Sequence, residues 1–262
     1  MVSELGLGAM DTPTSNEGLD TLTTAIDNGI DFVDTAREYY GSEYLIGQAF
    51  TKRHKSAVYI STKTFSRTKD GAQYEIDKSL RTLGVTKIHV YQLHDVSTWE
   101  TWNQVTKNNG ALEGLKIAQA RGLIDHIGIS SHDLSILEKA IISGLFETVM
   151  LEYSAFYNKT YHLINKAKER DIGVIVMRPL GGSGRMSRLR NLMKSLDQPS
   201  EINSNILLQY VLSNPNISVV IPGCSYPSRI KENVQLALTY SPFSSAQQKY
   251  CENLALKFSK YG

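Results

Sequence analysis

Eight short apolar segments recur along this chain, and a helical pattern follows each of them. The segments span residues 5–9, 31–34, 57–61, 88–93, 126–129, 148–151, 173–177 and 217–221. Several are unbroken runs of Val, Ile, Leu and Tyr, which is typical of strands covered on both faces. Eight units of one strand and one helix predict an α/β fold, a (β/α)8 TIM barrel with a closed parallel sheet.

The segments between the strands have the spacing of amphipathic helices. In residues 17–28, Leu19, Leu22 and Ile26 fall on one face, and Gly29 follows as a C-cap. The length of 262 residues suits one barrel, although it also suits two small domains. Because no repeat, low-complexity tract or linker divides the chain, we predict a single domain over residues 1–262. The other predicted helices are 43–49, 73–82, 111–120, 134–142, 161–168, 202–212 and 227–237, with an additional C-terminal helix at 245–259.

Charge and apolar patterning argue against several classes of partner. The chain has 28 basic and 26 acidic residues, a net charge of +2 and no run of like charge, so we expect neither a nucleic-acid nor a membrane surface. No apolar stretch reaches the roughly 18 residues of a membrane span. The N-terminus lacks the pattern of a signal peptide, so the cytoplasm is the expected location. Cys224 and Cys251 lack the spacing of a metal or redox site, and we expect no metal.

Ionisable side chains follow three successive predicted strands. Asp34 ends the second strand, Lys63 lies just past the third, His94 ends the fourth, and Tyr39 comes five residues after Asp34. Each alone is an ordinary turn, surface or structural residue. Together they suit proton transfer: a lysine lowers the pKa of a nearby phenol, a carboxylate holds the lysine, and a histidine positions a substrate oxygen.

Three segments carry a resemblance to a known family. Residues 34–39 (DTAREY), 61–63 (STK) and 91–94 (YQLH) resemble the catalytic segments of the aldo-keto reductases, and the resemblance extends to about Asn233. It implies a (β/α)8 barrel that reduces aldehydes or ketones with NAD(P)H, with Tyr39 as general acid. Many members have an N-terminal hairpin and a longer C-terminal tail. This sequence shows no segment for the hairpin and a short tail, so we expect an open pocket shaped by the long connections 95–110 and 178–200.

The segment 221–233 (IPGCSYPSRIKEN) resembles the family's binding segment for the adenosine end of the cofactor. Pro227 suits a first helical turn, and a helix N-terminus with an arginine is an anion site. The resemblance implies that Arg229 contacts a 2′-phosphate and that Glu232 and Asn233 contact adenine. Gly223 replaces a lysine that many members have there. NADP(H) is still favoured over NAD(H), and an ordinary capped surface helix is the alternative.

The nicotinamide side departs further from the family. Ser130 matches a residue that holds the carboxamide, but Ser131 replaces an Asn, Met150 a Gln and Met177 a stacking aromatic. Met150 equally suits the barrel core. The loop 181–184 could cradle a phosphate or be a loop tip, and no Gly-x-Gly-x-x-Gly follows a strand, which argues against a Rossmann dehydrogenase. The remaining cofactor contacts implied by the resemblance are Gly8, Pro179, Leu180, Gly182 and Ser225.

Four aromatic residues, Tyr40, Trp99, Trp102 and Tyr157, are candidates for the substrate walls, and packing is the alternative for each. A small carbonyl compound is the expected substrate. Two other functions stay open at this point. One is a nicotinamide-binding sensor or regulatory subunit with little turnover, which the altered carboxamide positions allow. The other is a lyase that forms a Schiff base on Lys63.

Overall fold

The eight strands form one parallel sheet in the order in which they occur along the chain. The computed structural model describes residues 2–52, 58–182, 184–188, 191 and 202–259. The strands are β1 (Leu7–Gly8), β2 (Phe32–Asp34), β3 (Tyr59–Thr64), β4 (Ile88–Leu93), β5 (Ile124–Ser130), β6 (Thr148–Glu152), β7 (Gly173–Met177) and β8 (Val219–Val220). The backbone also pairs across the seam between the ends of the sheet: Gly6 N–H donates to Val220 O at 2.8 Å, and Gly8 N–H donates to Pro222 O at 3.1 Å. The predicted (β/α)8 barrel is confirmed.

Helices cover the outside of this barrel. They are α1 (Asn16–Asp27), α2 (Ser42–Lys52), α3 (Lys69–Leu83), α4 (Trp99–Thr106), α5 (Ala111–Ala120), α6 (Leu134–Ser143), α7 (Tyr161–Lys168), α8 (Ser204–Leu212), α9 (Pro227–Thr239) and α10 (Ser245–Ser259). Of the predicted segments, 111–120, 161–168 and 245–259 have the observed bounds. No helix in the described ranges combines the length and the apolar character needed to cross a membrane.

Two separate apolar layers stabilise the arrangement. The larger layer fills the space between strands and helices. The smaller one fills the barrel interior and consists of Phe32, Val90, Met150, Ile175, Val219 and Ile221. These side chains alternate along their strands with residues that face the helices, as the two-residue period of a strand requires. Met150 is therefore part of the core, as its alternative interpretation predicted.

Three sequence expectations are corrected by the structure. The first strand is shorter than 5–9 because the chain turns into a 3-10 helix at Ala9–Asp11. The third strand extends to Thr64, so Lys63 lies within it; residue 57, where we expected it to begin, is outside the described residues. The connection 95–110 is not an irregular loop, because it contains α4, whose N-cap Thr98 accepts from Thr101 N–H at 3.1 Å. Of the connection 178–200, residues 183, 189–190 and 192–200 lie outside the described part of the chain.

Candidate active site

A cavity opens at the carboxyl ends of the strands, where barrel active sites are found. Its volume is about 630 Å³, and residues from β1 to β7, from the connections that follow them and from the start of α9 line it. All four members of the predicted proton-transfer group contribute to the lining: Asp34, Tyr39, Lys63 and His94. Parallel pairing explains this, since the register puts Asp34 opposite Ser61 and Lys63 opposite Gln92.

A buried ion pair forms the floor of this cavity. Lys63 Nζ lies 2.5 Å from Asp34 Oδ2 and donates a second hydrogen bond to Thr35 O at 2.8 Å. Ser61 Oγ donates to the other carboxylate oxygen of Asp34 at 2.9 Å, and Gln92 Nε2 donates to Ser61 Oγ at 2.8 Å. The side chains of Lys63 and Asp34 are only 1% and 3% exposed. These hydrogen bonds compensate the cost of burying both charges.

Tyr39 lies directly above this ion pair. Lys63 Nζ is 5.0 Å from the centre of the Tyr39 ring, and the rings of Tyr39 and His94 meet edge to face at 5.6 Å. Burial, together with the negative charges of Asp34 and Glu38, raises the pKa of Tyr39 above its ordinary value. This direction is opposite to the lowering that we expected from Lys63. A raised pKa favours the protonated phenol, the form that has a proton to donate.

Glu38 and Phe65 hold the ring of His94. Glu38 Oε2 lies 3.0 Å from His94 Nδ1, and Glu38 Oε1 accepts from Phe65 N–H at 2.8 Å. The Phe65 ring stacks on the imidazole at 4.2 Å and 22°. Burial opposes ionisation of Glu38, but the hydrogen bonds from His94 and from Phe65 N–H outweigh it and lower the pKa of this carboxyl. The sequence analysis missed both residues, although Glu38 stands next to Tyr39.

Two glycines, Gly8 and Gly223, line the opposite end of the cavity, and each packs closely against other atoms of the chain. A Cβ added to Gly8 would lie 2.9 Å from Ile221 O, and one added to Gly223 would lie 2.9 Å from Asp11 Oδ2. Side chains are thus excluded at both of these positions. Ser225, Arg229 and Asn233 also line this end, as the resemblance implied.

The first turn of α9 has the character of an anion site. The helix begins at Pro227, as the sequence predicted, and Arg229 lies in its first turn. Arg229 Nη1 forms an ion pair with Glu232 Oε2 at 2.6 Å, and both side chains are about half exposed. Glu232 itself does not line the cavity. Asn233 Nδ2 donates to Cys224 Sγ at 3.3 Å.

The predicted nicotinamide residues divide between two cavities. Ser130, Met177, Pro179, Leu180 and Gly182 line the main cavity. Ser130 Oγ accepts from Asp95 N–H at 2.9 Å. Ser131 lines instead an adjoining cavity of about 280 Å³. Its hydroxyl oxygen accepts from Asp133 N–H at 3.1 Å, so it stabilises the turn before α6.

The four aromatic candidates for the substrate walls are not brought to the main cavity. Tyr40 is 92% exposed and Trp99 is 50% exposed. Trp102 is buried on α4 against Phe146, with ring centres 6.0 Å apart, because its face of the helix points toward the core. Tyr157 lines the smaller cavity. The apolar side chains that do line the main cavity include Met150 and four that sequence analysis did not propose: Met10, Phe65, Met186 and Tyr226.

No group of three or more His, Cys, Asp or Glu side chains among the described residues is arranged to hold a metal ion.

Comparisons with known proteins agree with this geometry. A model of the aldo/keto reductase family matches residues 4–205. The uncharacterized oxidoreductase YqkF of Bacillus subtilis is 26% identical, and the match covers 90% of this chain and 87% of that protein. The NADH-specific methylglyoxal reductase of Escherichia coli is 22% identical over 82% of this chain and 81% of its own length.

Solved structures show the same fold. The aldo-keto reductase AKR11C1 from Bacillus halodurans superposes with a TM-score of 0.81 at 23% identity, covering 97% of this chain and 92% of that one. An aldo-keto reductase from Klebsiella pneumoniae in complex with NADPH gives a TM-score of 0.77 at 20% identity, covering 97% and 91%. The fold thus makes the chain a (β/α)8 barrel protein. More specifically, the chain belongs to the aldo/keto reductase family.

Proposed function

We propose that this protein is an NAD(P)H-dependent reductase that converts small aldehydes or ketones to alcohols, with Tyr39 as general acid. The observation that carries the proposal is the position of Tyr39, between His94 and the buried Lys63–Asp34 pair, in a cavity that extends to Arg229. A neutral phenol beside a fixed positive charge suits a group that must give up a proton and then carry negative charge.

Each residue of the site has a separate task in this proposal. Tyr39 donates its hydroxyl proton to the carbonyl oxygen. Lys63 stabilises the negative charge that develops on the phenol oxygen, and Asp34 keeps Lys63 charged and oriented through the 2.5 Å contact. His94 holds the carbonyl oxygen beside Tyr39. A bound nicotinamide cofactor supplies the hydride, while the protein provides position and electrostatics.

The residues of the opposite end suit a dinucleotide. Gly8 and Gly223 line a cavity of about 630 Å³ that also includes Arg229, and an arginine in the first turn of α9 suits a phosphate. We favour NADP(H), because Arg229 can pair with a 2′-phosphate and the similar Klebsiella pneumoniae protein is in complex with NADPH. NAD(H) remains the alternative, since the Escherichia coli relative is NADH-specific.

Tyr39→Phe tests the proposal. We expect it to lower the rate of aldehyde reduction by about 10²–10⁴-fold, the usual contribution of a general acid, and to leave NADPH binding intact. Tyr44→Phe is the matched control, because Tyr44 is exposed on α2 and does not line the cavity. NADPH absorbance is followed with a panel of aldehydes, ketones, quinones and sugars.

The outcomes separate the alternatives. Wild-type turnover in Tyr39→Phe would refute the mechanism. Binding of NADPH without turnover of any compound in the panel would favour the sensor or regulatory subunit. A Schiff-base lyase is not favoured, because Lys63 is held by Asp34 and by Thr35 O and is almost fully buried. Borohydride trapping of a substrate on Lys63 would reverse that judgement.

A further inference from the structure

A smaller cavity of about 280 Å³ adjoins the main one, and two residues line both. These shared residues are His132, which follows β5, and Arg178, which follows β7. The other walls of the smaller cavity include Leu137 and the phenol of Tyr157. Arg178 and His132 thus stand at the boundary between a pocket with an aromatic wall and the cavity that contains Tyr39.

The backbone holds Arg178 at this boundary in a conformation that residues other than glycine rarely adopt. Arg178 has a φ of 54°, in the left-handed region. Its carbonyl oxygen accepts the N–H of Gly181 at 2.9 Å, which closes a turn directly after β7. Strained conformations of this kind persist where the surrounding structure fixes them, and they are concentrated at active sites and ligand-binding residues. The conformation of Arg178 therefore indicates a functional role.

Three described Lys or Arg side chains line the main cavity, and their ion pairs differ. Lys63 lies 2.5 Å from its carboxylate partner in the cavity floor and is 1% exposed. Arg229 lies 2.6 Å from its partner at the opposite end. Arg178 Nη1 lies 3.2 Å from Glu152 Oε2, which is longer than the roughly 2.7–2.9 Å of a strong charge-assisted hydrogen bond, and its side chain is half exposed. Of these three cations, Arg178 is the one best able to bind a further anion.

The chemistry of a guanidinium favours a carboxylate as that anion. Arg178 has five N–H donors in a planar fork, and its hydrogen bond to Glu152 comes from Nη1. A carboxylate can accept two parallel hydrogen bonds from such a fork, which makes the pairing specific in geometry as well as in charge. Burial raises the pKa of Tyr157, so the phenol in the smaller cavity stays protonated and can donate a further hydrogen bond.

We propose that Arg178 is a specificity-determining residue and that the preferred substrates are aldehydes or ketones with a carboxylate at the far end. The inference rests on the proposed function. The substrate carbonyl lies between Tyr39 and His94, and its carboxylate pairs with Arg178 at the boundary of the smaller cavity. Arg178 binds and orients the substrate and takes no part in the transfer of hydride or proton.

Glu152 sets the strength of this interaction. Without substrate, its carboxylate partly neutralises Arg178 through the 3.2 Å contact. A substrate carboxylate competes with Glu152 for the same guanidinium and is repelled by its charge. Removal of the Glu152 charge should therefore strengthen the binding of an acid and leave an uncharged substrate unaffected. Substitutions of Arg178 and of Glu152 should change the same preference in opposite directions.

The kinetic test compares substrates that differ in the charge of the far end. A series of ω-oxo acids of increasing chain length, together with 4-formylbenzoate, is compared with the corresponding methyl esters. In the wild type, we expect kcat/KM for the best acid to exceed that for its ester about tenfold or more. Arg178→Met should raise KM for the acid about ten- to a hundredfold and leave kcat, and both constants for the ester, within about threefold.

Three further variants complete the comparison. Glu152→Gln should increase the preference for the acid by about threefold or more. Arg178→Lys keeps the charge but loses the fork, so its preference should be intermediate. Arg121→Met is the matched control, because Arg121 is exposed at the end of α5 and lines neither cavity. It removes the same charge and should keep the wild-type preference. Circular dichroism checks that each variant is folded.

Calorimetry gives a readout that needs no turnover. The alcohol product 4-(hydroxymethyl)benzoate should bind NADP⁺-loaded wild-type protein about ten- to a hundredfold more tightly than it binds Arg178→Met, while its methyl ester should bind both alike. The Kd for NADPH should be the same in both proteins. A Kd for NADPH raised about tenfold in Arg178→Met would assign Arg178 to the cofactor and overturn the inference.

The inference would also be overturned if no acid were preferred to its ester, if the preference survived in Arg178→Met, or if Arg121→Met lost it equally. Failure of the proposed function has a different signature, since neither acids nor esters would then be reduced by the wild type. In that case the calorimetric comparison still decides whether Arg178 binds a carboxylate in this cavity.

Discussion

The buried pair of Lys63 and Asp34 allows a quantitative prediction about stability. We consider Asp34→Leu, which keeps the branched shape of the side chain, Lys63→Met, which keeps most of its length, and the double variant. The single variants each leave one uncompensated charge in a site where the side chains are only 1% and 3% exposed. The double variant removes both charges and leaves an apolar pair in their place.

The structure ranks the three variants. Breaking a buried ion pair costs about 3–5 kcal/mol, whereas replacing the whole pair with apolar residues is often nearly neutral. Asp34→Leu leaves the ammonium of Lys63 with Thr35 O as its hydrogen-bond partner, so we expect the free energy of unfolding to fall by about 5 kcal/mol. Lys63→Met leaves Asp34 with hydrogen-bond donors from Ser61 and Gln92, so we expect a smaller fall in the free energy of unfolding, about 3 kcal/mol. If the two single effects were independent, the double variant would lose about 8 kcal/mol of unfolding free energy. We expect it to lose at most about 2 kcal/mol, because it leaves no unpaired buried charge.

Urea unfolding followed by circular dichroism at neutral pH measures these free energies. The exposed pair Lys87–Asp125, with atoms 2.9 Å apart and side chains 46% and 32% exposed, is the control. Breaking it should cost only about 0–1 kcal/mol. A double variant as unstable as the sum of the singles, or single variants no less stable than the Lys87 control, would refute the argument. All three variants at Lys63 and Asp34 should also lose carbonyl reduction.

Three further predictions concern the cofactor end and the core. Arg229→Ala should raise the Kd for NADPH about tenfold, which is about 1.4 kcal/mol, and leave the Kd for NADH unchanged. Glu232→Gln should lower the Kd for NADPH, because it releases Arg229 from its ion pair. Fluorescence titration measures both dissociation constants. Trp102→Ala should lower the free energy of unfolding by about 3–5 kcal/mol, because Trp102 packs on Phe146. It should leave KM for the carbonyl unchanged, because Trp102 lies outside the cavity. A raised KM would instead support Trp102 as a substrate wall. Without cofactor, Met150→Gln should lower the free energy of unfolding by about 1–3 kcal/mol, because it puts an amide into the apolar barrel interior. In thermal unfolding, this loss of stability should become smaller when NADPH is added.

Local patterns in the sequence were sufficient for the architecture. Strands covered on both faces produce apolar runs, and helices on a barrel produce a period near 3.6, so both kinds of element are visible within a few residues of chain. Parallel pairing then places the ends of successive strands together, which is why strand order alone groups Asp34, Lys63 and His94. Pro227 marked the start of α9 for a similarly local reason. The short helix α4 was missed because its eight residues lie in a segment with few apolar positions.

Contacts between distant side chains were decided only by the tertiary structure. Glu38 and His94 are 56 residues apart, and nothing in the local pattern shows that the carboxylate turns toward the imidazole. The same is true of Trp102, whose indole could face substrate or core, since only the position of α4 on the barrel decides between them. The pKa of Tyr39 moved opposite to expectation because burial and the charges of Asp34 and Glu38 depend on the surroundings of the phenol in space. The sequence thus determined that Asp34, Lys63 and His94, at or near strand ends, reach the cavity, since strand order and strand ends follow from local periodicity. The tertiary structure decided which group holds which, because burial and side-chain direction depend on the packing of the whole barrel.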